Sequence, residues 1–94
     1  MQINGILWLE DMIEKLQRKH HIEKHEVKEV LQRNPLFRLI EKGHRKGENV
    51  YAAFNQTEAG RYVVVYFVYK QSKQALILSA RDMTGAERKK YAQR

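Results

Sequence analysis

Val50-Tyr51-Ala52-Ala53-Phe54-Asn55-Gln56, then Thr57-Glu58-Ala59-Gly60, then Arg61-Tyr62-Val63-Val64-Val65-Tyr66-Phe67-Val68-Tyr69: two strand-like runs flank a short turn that ends in glycine. This is a hairpin signature, because Gly60 is free to take the positive φ that tight turns need. Tyr62 to Tyr69 is apolar or aromatic on both faces, so it belongs in the middle of a sheet. Lys70-Gln71-Ser72-Lys73 makes the next turn, and Gln74 to Ala80 returns as another strand. Leu36 to Glu41, before the polar glycine-containing loop Gly43–Asn49, supplies one more.

Upstream of the hairpin the period changes from two to 3.6. Leu9, Met12, Ile13 and Leu16 stand at i, i+3, i+4 and i+7, one face of an amphipathic helix. Glu10 and Asp11 fall in its expected first turn and Arg18 and Lys19 in its last, which suits the helix dipole. Trp8, just before it, is expected in the core. A second helix carries Val27, Val30 and Leu31 on one face and stops before Asn34-Pro35, since proline drives its predecessor out of helical geometry. At the far end, Thr84-Gly85-Ala86-Glu87 has capping-box spacing, so a short last helix starts there. The expected order is two helices, about four strands and a C-terminal helix, with at most a short extra strand before Trp8. That is one α+β domain over residues 1–94, a small antiparallel sheet with helices on one face.

Composition sets the class. Eighteen Lys+Arg against 11 Asp+Glu leave a net charge of +7 on 94 residues, which favours a polyanion or an acidic protein as partner. There is no cysteine, so neither disulfides nor thiolate metal sites are available. The N-terminus lacks the basic start of a signal peptide, and no apolar run is long enough for a spanning helix; the expected location is the cytoplasm, without membrane contact. His21 and His25 are four apart, but the expected helix break falls between them, and no metal site or cofactor is expected.

The end of the chain holds the most suggestive chemistry. The apolar run Leu76-Ile77-Leu78-Ser79-Ala80 ends on Arg81, beside the start of a helix that carries Arg88 and Tyr91. Strand ends and helix N-termini are good places to hold an anion.

Several residues together carry a resemblance to a family: Trp8; Lys19-His20 after the first helix; Glu29-Val30; Tyr51-Ala52; Thr57 with Gly60-Arg61; Val64-Val65-Tyr66; Ile77-Leu78-Ser79-Ala80-Arg81; and Glu87-Arg88 with Tyr91. The chain resembles the BrnT toxins of bacterial type II toxin–antitoxin systems along almost its whole length. The resemblance implies a RelE-like fold, metal-independent RNA cleavage, and a ribbon-helix-helix antitoxin through which the pair reaches operator DNA. His21 stands where such chains commonly carry glycine, and Asn55 occupies a position that is often glycine.

Metal-free RNA cleavage needs a base for the 2′-hydroxyl, an acid for the leaving 5′-oxygen, and cations for the phosphorane. On that reading Lys19, His20, Arg61 and Arg81 form the catalytic set. His20 is the best candidate for the acid–base group, since histidine titrates near neutrality; which residue is the general base is left open. The arginines pair with phosphate through their planar forks. Arg88 and Tyr91, three residues apart on the last helix, are expected to bind RNA. The alternative is a basic binding module that makes a DNA-binding repressor with its antitoxin and cleaves nothing.

Overall fold

The structure, a computed structural model, describes residues 1–94. In chain order the elements are β1 (Gly5–Trp8), α1 (Met12–His20), α2 (Lys24–Gln32), β2 (Leu36–Glu41), β3 (Val50–Gln56), β4 (Tyr62–Tyr69), β5 (Gln74–Asp82) and α3 (Gly85–Ala92). The strands form one sheet in the order β1-β5-β4-β3-β2. Four are antiparallel neighbours, as expected. The fifth, β1, runs parallel to β5, with Gly5 opposite Gln74 and Trp8 opposite Ile77, so the sheet is mixed. Four residues of unremarkable composition gave little sign of this strand; β5 recruits them because its outer edge would otherwise stay unpaired.

β4 is central, and Val63, Val64 and Val65 are all fully buried. Odd-numbered β4 residues face α1 and α2 over the main core. There Val63, Val65 and Phe67 meet Met12, Leu16, Ile22, Val27, Val30 and Leu31, with Ala53, Ala75, Ile77 and Ala80 completing it. Even-numbered residues face the other way. Val64 joins Ala52, Phe54 and Met83 in a smaller cluster closed by Leu36, Tyr62, Tyr66 and Tyr91. Tyr91 belongs to α3, so the helices do not all lie on one face: α3 sits on the sheet's second side. No residue of α3 is fully buried, and the second face is covered only at one end.

A bulge in β5 decides which side chains reach which face. Tyr66 pairs with Ser79 and Phe67 with Ile77, leaving Leu78 as the extra residue. Ile77 and Ala80, three apart, are therefore both fully buried on the helical side. Beyond the bulge Asp82, opposite Val63, faces the helices, and Arg81, opposite Val64, faces the second side.

Smaller departures have local causes. Leu9 lies outside α1 and is exposed, while Glu10 and Asp11 precede the helix; Asp11 enters it at φ 65°. Trp8 is half-buried at the core's edge, in an edge strand. α2 ends at Gln32, two residues before Asn34, which takes φ 59° ahead of Pro35. Gly60 has φ 97°, as the turn requires. No helix is long and apolar enough to cross a membrane.

Candidate functional site

The hairpin turn aims Arg61. Thr57 N–H donates to Arg61 O at 2.8 Å, Arg61 N–H returns to Thr57 Oγ1 at 3.0 Å, and the side chain leaves β4 towards the α1–α2 junction. There it meets the carbonyls that every helix leaves unpaired at its C-terminus. Arg61 Nη2 donates to His20 O at 2.7 Å and Nη1 to His21 O at 2.6 Å. Nε donates to Asp82 Oδ1 at 2.7 Å, Nη2 reaches Asp82 Oδ2 at 3.3 Å, and Nη1 reaches Glu26 Oε1 at 3.3 Å. A guanidinium has five N–H groups, and here each has a partner. Asp82's hydrogen bond raises the Arg61 pKa, and Arg61 in turn holds Asp82 below the usual carboxylate range, with His20 adding a smaller electrostatic pull.

This knot fixes the end of α1. His20 is its last residue, half-buried; Lys19 beside it is exposed. His21 follows at φ 54°, where the chain folds back and its N–H caps Gln17 O at 3.1 Å. That left-handed conformation is cheapest for glycine, and histidine is among the residues that tolerate it better than most. His21 thus serves a backbone turn, and α1 and α2 break between His21 and His25 as expected. No group of three or more His, Asp or Glu side chains converges in a way that could hold a metal ion.

Arg81 belongs to a second cluster on the other face. Its fork grips Glu87, Nη1 to Oε1 at 2.7 Å and Nη2 to Oε2 at 3.0 Å. Nη2 also donates to Tyr66 Oη at 2.8 Å and Nη1 to Asp82 O at 3.0 Å, and the guanidinium lies 5.5 Å from the Tyr66 ring centre. Only Nε is left without a partner. Glu87 is shared: it accepts the Thr84 N–H at 2.8 Å while its own N–H donates to Thr84 Oγ1 at 3.1 Å, so the expected capping box is present. Arg81 pulls the Glu87 pKa down from 4.5 to about 2, with Thr84 adding to the effect; Glu87 raises that of Arg81.

Along the same helix, Arg88 stacks over Tyr62 at 4.1 Å and Tyr62 meets Tyr91 edge-on at 6.1 Å. Tyr91 Oη donates to Asn55 Oδ1 at 2.8 Å, and the buried Asn55 amide donates to Val30 O at 3.1 Å and Arg33 O at 3.0 Å. Asn55, where glycine is common, thereby ties α3 to the end of α2.

The six expected site residues thus form two groups. Arg61 meets the His20 carbonyl at the helical side, with Lys19 exposed one residue earlier on α1. Arg81, Arg88 and Tyr91 gather on the second side. The neighbours Arg81 and Asp82 point to opposite faces of β5 and link the groups through one residue of backbone. The structure adds Asp82, Glu26, Glu87 and Tyr66, which sequence reasoning did not name as site residues. Glu87 was legible only as a cap. The alternation of adjacent strand residues was the available sign for Asp82, since wherever Arg81 points its neighbour must point oppositely.

No curated protein sequence matches the chain. One family model does, described as the ribonuclease toxin, BrnT, of type II toxin-antitoxin system, and it covers residues 8–87. That span runs from β1 into α3 and includes Lys19, His20, Arg61 and Arg81, with Arg88 and Tyr91 just beyond its end. The chain belongs to the BrnT family of ribonuclease toxins of type II toxin–antitoxin systems.

Proposed function

We propose that the chain is a metal-independent endoribonuclease that arrests growth by cutting RNA in the cytoplasm. Family membership supports the ribonuclease class and an antitoxin partner. The observation that carries the mechanism is the grip of Arg61 on the His20 carbonyl and on Asp82 together, which fixes the end of α1 at the end of β5. A histidine at that fixed junction can serve as a proton donor to the leaving 5′-oxygen or, after proton loss, as a base for the 2′-hydroxyl. Lys19 is the unpaired cation nearest to His20 in sequence and meets the phosphate. Arg61, with every N–H engaged, acts as a positioning residue. Arg81 offers Nε at once and its whole fork if phosphate displaces Glu87. Arg88, Tyr62 and Tyr91 give the RNA a surface for charge and stacking.

The test is cleavage of RNA by purified protein in excess chelator. Cleavage that His20→Ala abolishes supports the reading. Strict dependence on added Mg²⁺ that survives repurification overturns it.

One observation favours a second reading. Arg61 and Arg81 are both neutralised by carboxylates, as suits a binding module that joins a ribbon-helix-helix antitoxin on operator DNA without turnover. RNA binding without cleavage would select it. The RelE-like architecture belongs to the same proposal; its support is the antiparallel β2–β5 meander with α1 and α2 on one face.

A further inference from the structure

β2 is an edge strand. Its inner side pairs with β3, and no backbone hydrogen bond leaves its outer side. Free edges are usually blunted by charge, shortness, bulges or a covering element. Here a bulge at Ile40 protects the end of the strand, while Leu36–Leu39 stays regular. Leu39 and Ile40 are 47% and 51% exposed, among the most exposed large aliphatic side chains of the chain.

Beside this edge, on the second face, lies an open groove of about 260 Å³ between β2 and α3. Leu36, Ile40, Phe54 and Tyr91 give it an apolar lining, and Arg38 and Lys90 stand on it. Neither cation is paired with a carboxylate, because the one acid there, Glu87, is held by Arg81. From residue 33 to 48 the chain carries five Lys+Arg against two Glu, so the surroundings of the edge are basic as well.

We infer that an extended, acidic segment of the antitoxin adds to the sheet along Leu36–Leu39, placing an apolar side chain in the β2–α3 groove and carboxylates on Arg38 and Lys90. Main-chain pairing gives such an addition its affinity and alternate side-chain pockets give it specificity. The charge decides among occupants. A second copy of the chain would bring a second +7 to a basic edge. RNA would satisfy the cations but has no strand to offer to the free backbone groups, and it gains little from an aliphatic lining. An acidic strand satisfies all three features. The inference rests on the toxin–antitoxin reading for the identity of the partner. Its test needs no RNA cleavage, so the two can fail separately.

The probe is a labelled synthetic peptide Thr-Glu-Thr-Val-Thr-Glu-Thr, whose glutamates and valine share one face of a strand, with two controls: the same peptide with lysine for glutamate, and the glutamate peptide N-methylated at alternate residues so that one edge lacks donors. Binding is read by fluorescence anisotropy, and the site by amide exchange. The expected result is binding of the glutamate peptide alone, slower exchange of amides within 36–39, and about tenfold weaker binding to Arg38→Glu. Equal binding of the N-methylated peptide would overturn strand addition. Protection elsewhere, or no binding, would overturn the site. Protection of 36–39 by a uridine oligonucleotide but not by the peptide would assign the edge to RNA. Concentration-dependent protection of 36–39 with no peptide present would assign it to a second copy. A chain that cleaves RNA yet leaves β2 unprotected keeps its enzymatic reading and loses this interface.

Discussion

Arg61 and Arg81 look alike in the sequence, each at one end of a strand. Their surroundings separate them. Arg61 satisfies two helix-end carbonyls and two carboxylates, so its removal orphans His20 O and His21 O and leaves Glu26 and Asp82 without their shared cation. With Arg61 only partly exposed and Asp82 largely in solvent, Arg61→Ala is expected to cost about 1–3 kcal/mol. The expected melting temperature falls by at least 4 °C or so, on the scale for a domain this size. Arg61→Lys should recover little, because one ammonium cannot reach partners arranged for a fork. An unchanged melting temperature in Arg61→Ala would show that the knot does not hold the fold. Glu87 gives a pH signature. Its folded pKa, about 2, lies below the ordinary 4.5, so its contribution is full above 4.5 and is lost as pH falls towards 2. Acid titration of the melting temperature should therefore steepen below pH 4.5, and Glu87→Gln should flatten that slope while costing about 1–2 kcal/mol at neutral pH. Asp82, also depressed, keeps part of the slope in the variant.

Among the elements, α3 depends most on single contacts. It buries no residue fully, and its hold on the sheet is Tyr91 on Tyr62 and Asn55, Arg88 on Tyr62 and Glu87 on Arg81. Thr84→Ala removes the reciprocal cap and is expected to cost about 1 kcal/mol. The loss should appear as faster amide exchange in 85–92, with β4 unaffected; uniform acceleration throughout the chain would mean that α3 unfolds only with the rest. Most elements were legible because their patterns are strong: the hairpin about Gly60, the 3.6 period of α2 and the Thr84–Glu87 box all stand where the sequence puts them. β1 was legible only as an optional short strand before Trp8, because four residues carry too little pattern and its pairing depends on β5 alone. The division of the site was hidden for a different reason. Strict alternation from Ile77 would turn Arg81 towards the helices; the bulge at Leu78 reverses it, and nothing in Leu76-Ile77-Leu78-Ser79 announces which residue is extra.

For the whole molecule, the governing quantity is charge on a thin body. The Cα extents are 34 × 31 × 19 Å, the short one being a sheet with a single main helix layer, so both faces of the sheet carry side chains to solvent. RNA binding by a chain of net charge +7 should weaken steeply as salt rises. Lys19→Gln, removing an exposed cation beside His20, should reduce the slope of log K against log salt by about 0.7, the contribution of one phosphate contact on a single strand. A slope unchanged by Lys19→Gln would place the RNA elsewhere. The parallel pairing of β1 with β5 has a consequence in time. Residues 5–8 are made early by the ribosome, yet their partner strand, 74–82, is nearly the last element to emerge. Until β5 is made, β1 has no neighbour, β4 lacks one flank, and neither Arg81 nor Asp82 exists. Long-range closures of this kind form late and cooperatively. The nascent chain therefore carries His20 and its charge through synthesis without Asp82 or Arg81, and the insertion of one strand completes core and candidate site together.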